Sequence, residues 1–110
     1  MTYVFAGLAV SDFATAEAWY SSLFGPPTRY PEPNEAVWHL SQTGLVYVVA
    51  DPPRAGHGLL AVAVDDLDGL IADLASRGIR TASAERGAVV LRDPDGNSIK
   101  LFQDPGQAQA

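Results

Sequence analysis

Residues 2–10, TYVFAGLAV, alternate in a strand-like way. Val4, Ala6, Leu8 and Val10 fall on one face, and Tyr3, Phe5, Gly7 and Ala9 on the other. At Asp12 the period changes. Phe13, Ala16, Tyr20 and Leu23 recur at helical spacing, Asp12 suits an N-cap, and Gly25-Pro26 ends the run. The proline-rich PPTRYPEPNE leaves room only for a short edge strand over residues 28–30. AVWHL and LVYVVA then read as two strands around the turn SQTG. DPPRAGHG is a punctuated connector, after which LLAVAV predicts another strand. Leu67, Leu70, Ile71 and Leu74 form an apolar helical stripe closed by Gly78. RTASA and AVVL read as short strands, DPDG as a turn and SIKLF as the last strand, with a disordered tail over 105–110.

The second half repeats the first. AVSDF matches AVDDL, with Asp12 and Asp66 54 positions apart; VVAD matches LFQD, with Asp51 and Asp104 53 apart. Each half reads strand, helix, strand, strand, strand. The expectation is an α+β fold of two tandem βαβββ modules, 1–51 and 58–104, joined by a connector over 52–57. Their sheets would form one curved, half-closed mixed sheet with the helices outside and a ligand site on the inner face.

Composition narrows the function classes. The 110 residues fit one structural domain with a core of its own, and the lack of cysteine excludes disulfides and thiolate metal sites and suits a reducing compartment. A net charge of −6 argues against nucleic acid and anionic membrane as partners. The first apolar run is too short to span a bilayer and no basic segment precedes it, so the expected location is the cytoplasm. No GxSxG, glycine-rich phosphate loop or Cys-His pairing is present.

The stretches AVSDFATAEAWYSSLFG, AVAVDDLDGLIADLASRG and LRDPDGNSIKLFQ carry a further signal. With the paired βαβββ pattern, they resemble the vicinal oxygen chelate superfamily, which includes glyoxalases, bleomycin-resistance proteins and extradiol dioxygenases. The resemblance implies a concave sheet, a dimer that often completes the cleft, and four inward side chains that hold a divalent metal in the family's enzymes, usually His, Glu or Gln. Carried onto this chain, the four positions are Phe5, Tyr47, Leu59 and Lys100. Two are apolar, one is a phenol and one is the only lysine of the chain, whose ammonium repels a dication. No metal or other cofactor is therefore expected.

On the inner face, Phe5, Tyr47 and Phe102 offer rings beside the small residues Gly7, Ala9, Ala61 and Ala63, a surface suited to a planar, aromatic or cationic compound. Either Trp38 or His39 joins them, since neighbours in a strand face opposite ways. His57 shares the face of Leu59 near the cleft mouth. Lys100 either pairs with a nearby carboxylate or offers a counter-charge to a ligand. The expected ligand-binding set is Phe5, Trp38, Tyr47, His57, Leu59, Lys100 and Phe102, with no catalytic or metal residues. The expected function is a metal-independent, homodimeric small-molecule binder of the bleomycin-resistance type. The alternative is a glyoxalase-like lyase or isomerase, or a dioxygenase-related enzyme, with non-standard metal ligands or none.

Overall fold

The aspartate that follows each opening strand does the same work twice. In the computed structural model of the chain, which describes residues 1–106, β1 (Val4–Val10) leads to helix α1 (Phe13–Phe24), and the Asp12 carboxylate accepts the Thr15 N–H at 3.3 Å. Correspondingly, β5 (Leu59–Val64) leads to α2 (Leu67–Ser76), and Asp66 accepts the Gly69 N–H at 3.0 Å. Each satisfies a donor that the helix start leaves orphaned.

After α1 the chain forms β2 (Arg29–Glu32), β3 (Glu35–His39) and β4 (Gly44–Ala50). After α2 it forms β6 (Ser83–Glu85), β7 (Ala88–Arg92) and β8 (Ser98–Gln103). The result is two mixed four-stranded sheets, ordered β1-β4-β3-β2 and β5-β8-β7-β6, which do not close on each other. In both, the opening strand runs parallel to the closing one: Phe5 lies opposite Leu45 and Gly7 opposite Tyr47, while Leu59 lies opposite Ser98 and Ala61 opposite Lys100. The internal repeat is thus reproduced residue by residue, with Tyr47 and Lys100 in equivalent places.

One face of each sheet meets the helices. Leu8, Val10, Trp38, Val46 and Val48 of the first sheet join Val89, Leu91, Ile99 and Leu101 of the second, with Ala16, Tyr20 and Leu23 of α1 and Leu67 and Leu74 of α2, in one continuous core. Burial of a large apolar side chain contributes roughly 1.5–3 kcal/mol, so this shared core is the main force joining the halves. Val4, expected on the helix side, is the first residue of the strand and is 68% exposed. Strand β6 lies further along than the RTASA stretch: the Arg86-Gly87 turn, with Gly87 at φ +69°, sets Glu85 opposite Ala88.

A buried polar cluster supplements the apolar contact between the halves. Asp93, at the end of β7, accepts the Tyr20 hydroxyl from α1 at 2.7 Å and the Asn97 N–H and Nδ2 at 2.8 Å each. Asn97 also donates to the Ala9 carbonyl at 2.9 Å and accepts the Gly58 N–H at 2.7 Å. A Cβ on Gly58 would meet Leu8 Cδ2 at 2.7 Å and Asn97 Oδ1 at 2.8 Å, so the connector approaches closely only because this residue lacks one. Burial, reinforced by the hydrogen bond to Asp93 and the charges of Asp93 and Asp95, pushes the Tyr20 phenol far above its ordinary pKa. The last four residues of the expected tail, 107–110, lie outside the described residues. Among the described residues, no helix is long and apolar enough to cross a membrane.

Candidate functional site

The helices cover one face of each sheet, and the opposite faces remain open. On the first sheet, alternation puts Phe5, Gly7 and Ala9 of β1, Tyr47 and Val49 of β4, and Glu35, Val37 and His39 of β3 on the open side. Phe5 is about half exposed. The Tyr47 ring lies across β1 directly over Gly7, where any added Cβ would overlap it. Glycine at this position therefore lets the phenol lie flat on the sheet.

On the second sheet the open side carries Leu59, Ala61 and Ala63 of β5, Ser98, Lys100 and Phe102 of β8, and Val90 and Arg92 of β7. Two shallow concavities flank Lys100. One, of about 430 Å³, is walled by Ala61, Ala88, Phe102 and Gln103, with Glu85 and Arg86 at the rim. The other, of about 370 Å³, is lined by Leu59, Ala61, Ser83, Val90, Arg92 and Ser98. Lys100 Nζ stands 3.5 Å from Glu85 Oε1, both side chains being substantially exposed. Arg92 donates to Ser98 Oγ at 2.6 Å and to the Gly96 carbonyl at 3.2 Å. The sheets approach each other along their edge strands, where Val4 and Ala6 face Leu60, Ala61 and Val62 across a groove of about 350 Å³.

Leu59, Lys100 and Phe102 are thus brought together on one sheet, and Phe5 and Tyr47 on the other. His57 is exposed in the connector before β5. Trp38 is not on an open face. It is 2% exposed in the core, and its indole donates to the Gly25 carbonyl at the end of α1 at 2.7 Å. The register Trp38–Val46 and His39–Leu45 settles the alternation, so that His39 takes the open side and Trp38 leaves the candidate set. Sequence reasoning missed Glu85, Arg86 and Arg92. The hairpin length held the signal for Arg92: a turn over 93–97 pairs Arg92 with Ser98 and Val90 with Lys100.

The sequence profile of the glyoxalase-like domain family matches residues 5–102. The chain belongs to the glyoxalase-like domain family. A glyoxalase/bleomycin-resistance protein from Catenulispora acidiphila DSM 44928 is 41% identical, with a TM-score of 0.90, over 96% of this chain and 100% of that one. An antibiotic-binding protein, TnmS3 from Streptomyces sp. CB03234, superimposes with a TM-score of 0.74 at 22% identity, over 94% and 95% of the two chains. A lactoylglutathione lyase from Agrobacterium tumefaciens does so at 0.74 and 22% identity, over 91% of each. At such identities the last two show the fold alone. No curated protein matches the chain.

Membership in the glyoxalase-like family, within the vicinal oxygen chelate superfamily, invites a test of the metal positions. Phe5 and Leu59 offer no donor atom, Tyr47 offers a neutral phenol, and Lys100 brings a positive charge already paired with Glu85. This donor set does not fit a divalent cation. Among the described residues, no group of three or more His, Asp or Glu side chains is placed to hold an ion.

Proposed function

We propose that this glyoxalase-like protein is a cytoplasmic small-molecule binding protein that works without a metal. It takes a flat aromatic compound onto the open sheet faces and holds it unchanged. The observation that carries this reading is the content of the four family positions, where Phe5, Tyr47, Leu59 and Lys100 replace a metal-ligand set. Phe102 and the ring of Tyr47, beside Gly7, Ala61 and Ala63, give surfaces that stack on a planar ring. One structural neighbour, TnmS3, is an antibiotic-binding protein, in keeping with such a role.

The site is completed by a second copy of the chain. Tyr3, just before the edge strand β1, and Val4 and Phe5 on it are 54%, 68% and 48% exposed, and Leu59 on the edge strand β5 is 86% exposed. Two unpaired edges carrying large apolar side chains favour burial against a partner. An enzymatic reading would need a positioned general base. His39 and His57, the two imidazoles, are both exposed.

The test is a thermal-shift screen of planar aromatic compounds with and without chelator, with sedimentation to give the oligomeric state. A true ligand at a hundred times its Kd adds about 2.7 kcal/mol of stability, unchanged by chelator. Binding that vanishes with chelator, or turnover of the compound, would replace this reading with the enzymatic one.

A further inference from the structure

The chain carries a net charge of −6, yet three of its seven cationic side chains gather on the open face of the second sheet. Arg86 rims one concavity, Arg92 lines the other, and Lys100 stands between and belongs to both; the only acid lining either is Glu85. This clustering runs against a cationic ligand at this site. We infer that the second sheet's open face binds an aromatic compound bearing an oxyanion, whose charged group takes the place of Glu85 beside Lys100. The inference rests on the small-molecule binding reading and specifies its ligand class.

The geometry assigns the parts. Lys100 lies opposite Ala61 on one side and Val90 on the other, so small and apolar neighbours surround its stem and leave Nζ free to approach a ligand. Phe102 is half-buried two residues along β8, between Ala63 and Ala88, and gives a ring the apolar wall it needs. The pairing of Lys100 with Glu85 spans 3.5 Å between exposed side chains, an arrangement that is weak and readily exchanged. Arg92 is already engaged by Ser98 and the Gly96 carbonyl, which holds its guanidinium at the edge of the face as a fixed positive charge. The overall negative charge does not oppose this. At physiological salt, charges more than about 8 Å away are largely screened, and the nearby cations dominate.

The experiment compares isosteres on the full chain by calorimetric titration at physiological salt. 2-Naphthoate, 2-naphthalenesulfonate, neutral 2-naphthalenemethanol and cationic 2-naphthylmethylammonium differ chiefly in the charged group. The two anions are expected to bind about tenfold tighter than the neutral compound, and the cation weaker still. K100M should bring the anions to the affinity of the neutral compound while leaving that compound's affinity unchanged. E85Q should tighten anion binding several-fold by removing the competing carboxylate. A preference for naphthoate over sulfonate would identify a carboxylate as the group recognised; equal binding would mean any oxyanion serves. Equal affinity for all four probes, or an anion preference that survives in K100M, overturns the inference and leaves the binding reading standing. Failure of every probe to bind would overturn both.

Discussion

Replacing Tyr20 with Phe removes one hydroxyl and keeps the ring, which isolates the bond that ties α1 to the end of β7. In the folded chain Tyr20 is fully buried, and its hydroxyl donates to Asp93 at 2.7 Å. A hydrogen bond to a charged group contributes about 1.5–3 kcal/mol. After the change Asp93 still accepts from the Asn97 N–H and Nδ2 and from the Asp95 N–H at 3.0 Å, so the carboxylate is not orphaned. That places Y20F near the lower end, about 1.5–2 kcal/mol. At roughly 2.1 cal/mol/K per residue, a 110-residue chain has an unfolding entropy of about 0.23 kcal/mol/K, so the expected fall in Tm is about 7–9 °C. A second readout comes from pH. The folded-state pKa of Tyr20 lies far above its unfolded value near 10. Below pH 10 both states keep the proton and the stabilisation is fully present. Above it the unfolded chain gives up a proton that the folded chain retains, so stability falls by about 1.4 kcal/mol per pH unit. Exposed Tyr30, whose pKa is raised by its hydrogen bond to Glu17, acts in the same direction. The comparison is therefore made in a Y30F background, by urea unfolding between pH 9 and about 11.5. Y20F should abolish the alkaline slope. A Tm shift below about 2 °C together with an unchanged slope would refute the reasoning.

Other outcomes follow from the open faces. G7A should push the Tyr47 ring off β1, because its Cβ would occupy the same space, and should weaken aromatic ligand binding with little change in fold. Titration with a fluorescent aromatic probe and circular dichroism check both parts. K100E alone should not create tight metal binding, since Phe5 and Leu59 still offer no donor. The triple change F5H, L59H and K100E should gain measurable Ni²⁺ affinity by calorimetry if these positions converge as the family resemblance implies.

Much of the architecture was legible because the chain states it twice. The spacing of Asp12 and Asp66 located both helix starts, and both residues cap as expected. Alternation put Phe5 and Gly7 on the open side of β1, since the apolar partners Leu8 and Val10 were unambiguous. It failed at β3, where Ala36, Val37 and Trp38 are all buried and polar residues stand only at the two ends, Glu35 and His39; the register with β4 decides. The role of Asp93 was hidden for another reason. In the sequence it is a turn residue, and its burial depends on Tyr20, 73 positions away. The partner of Lys100 was likewise a matter of strand pairing: Glu85 sits on β6 and reaches across the intervening β7.

Metal-free binding requires that Phe5, Tyr47, Leu59 and Lys100 be unable to hold an ion. The most direct measurement is elemental analysis of protein purified without chelator, followed by titration with Zn²⁺, Mn²⁺ and Ni²⁺ monitored by thermal unfolding. Substoichiometric metal and no change in Tm are the expected result. One ion per chain, raising Tm by several degrees and lost in a variant of these four positions, would contradict it.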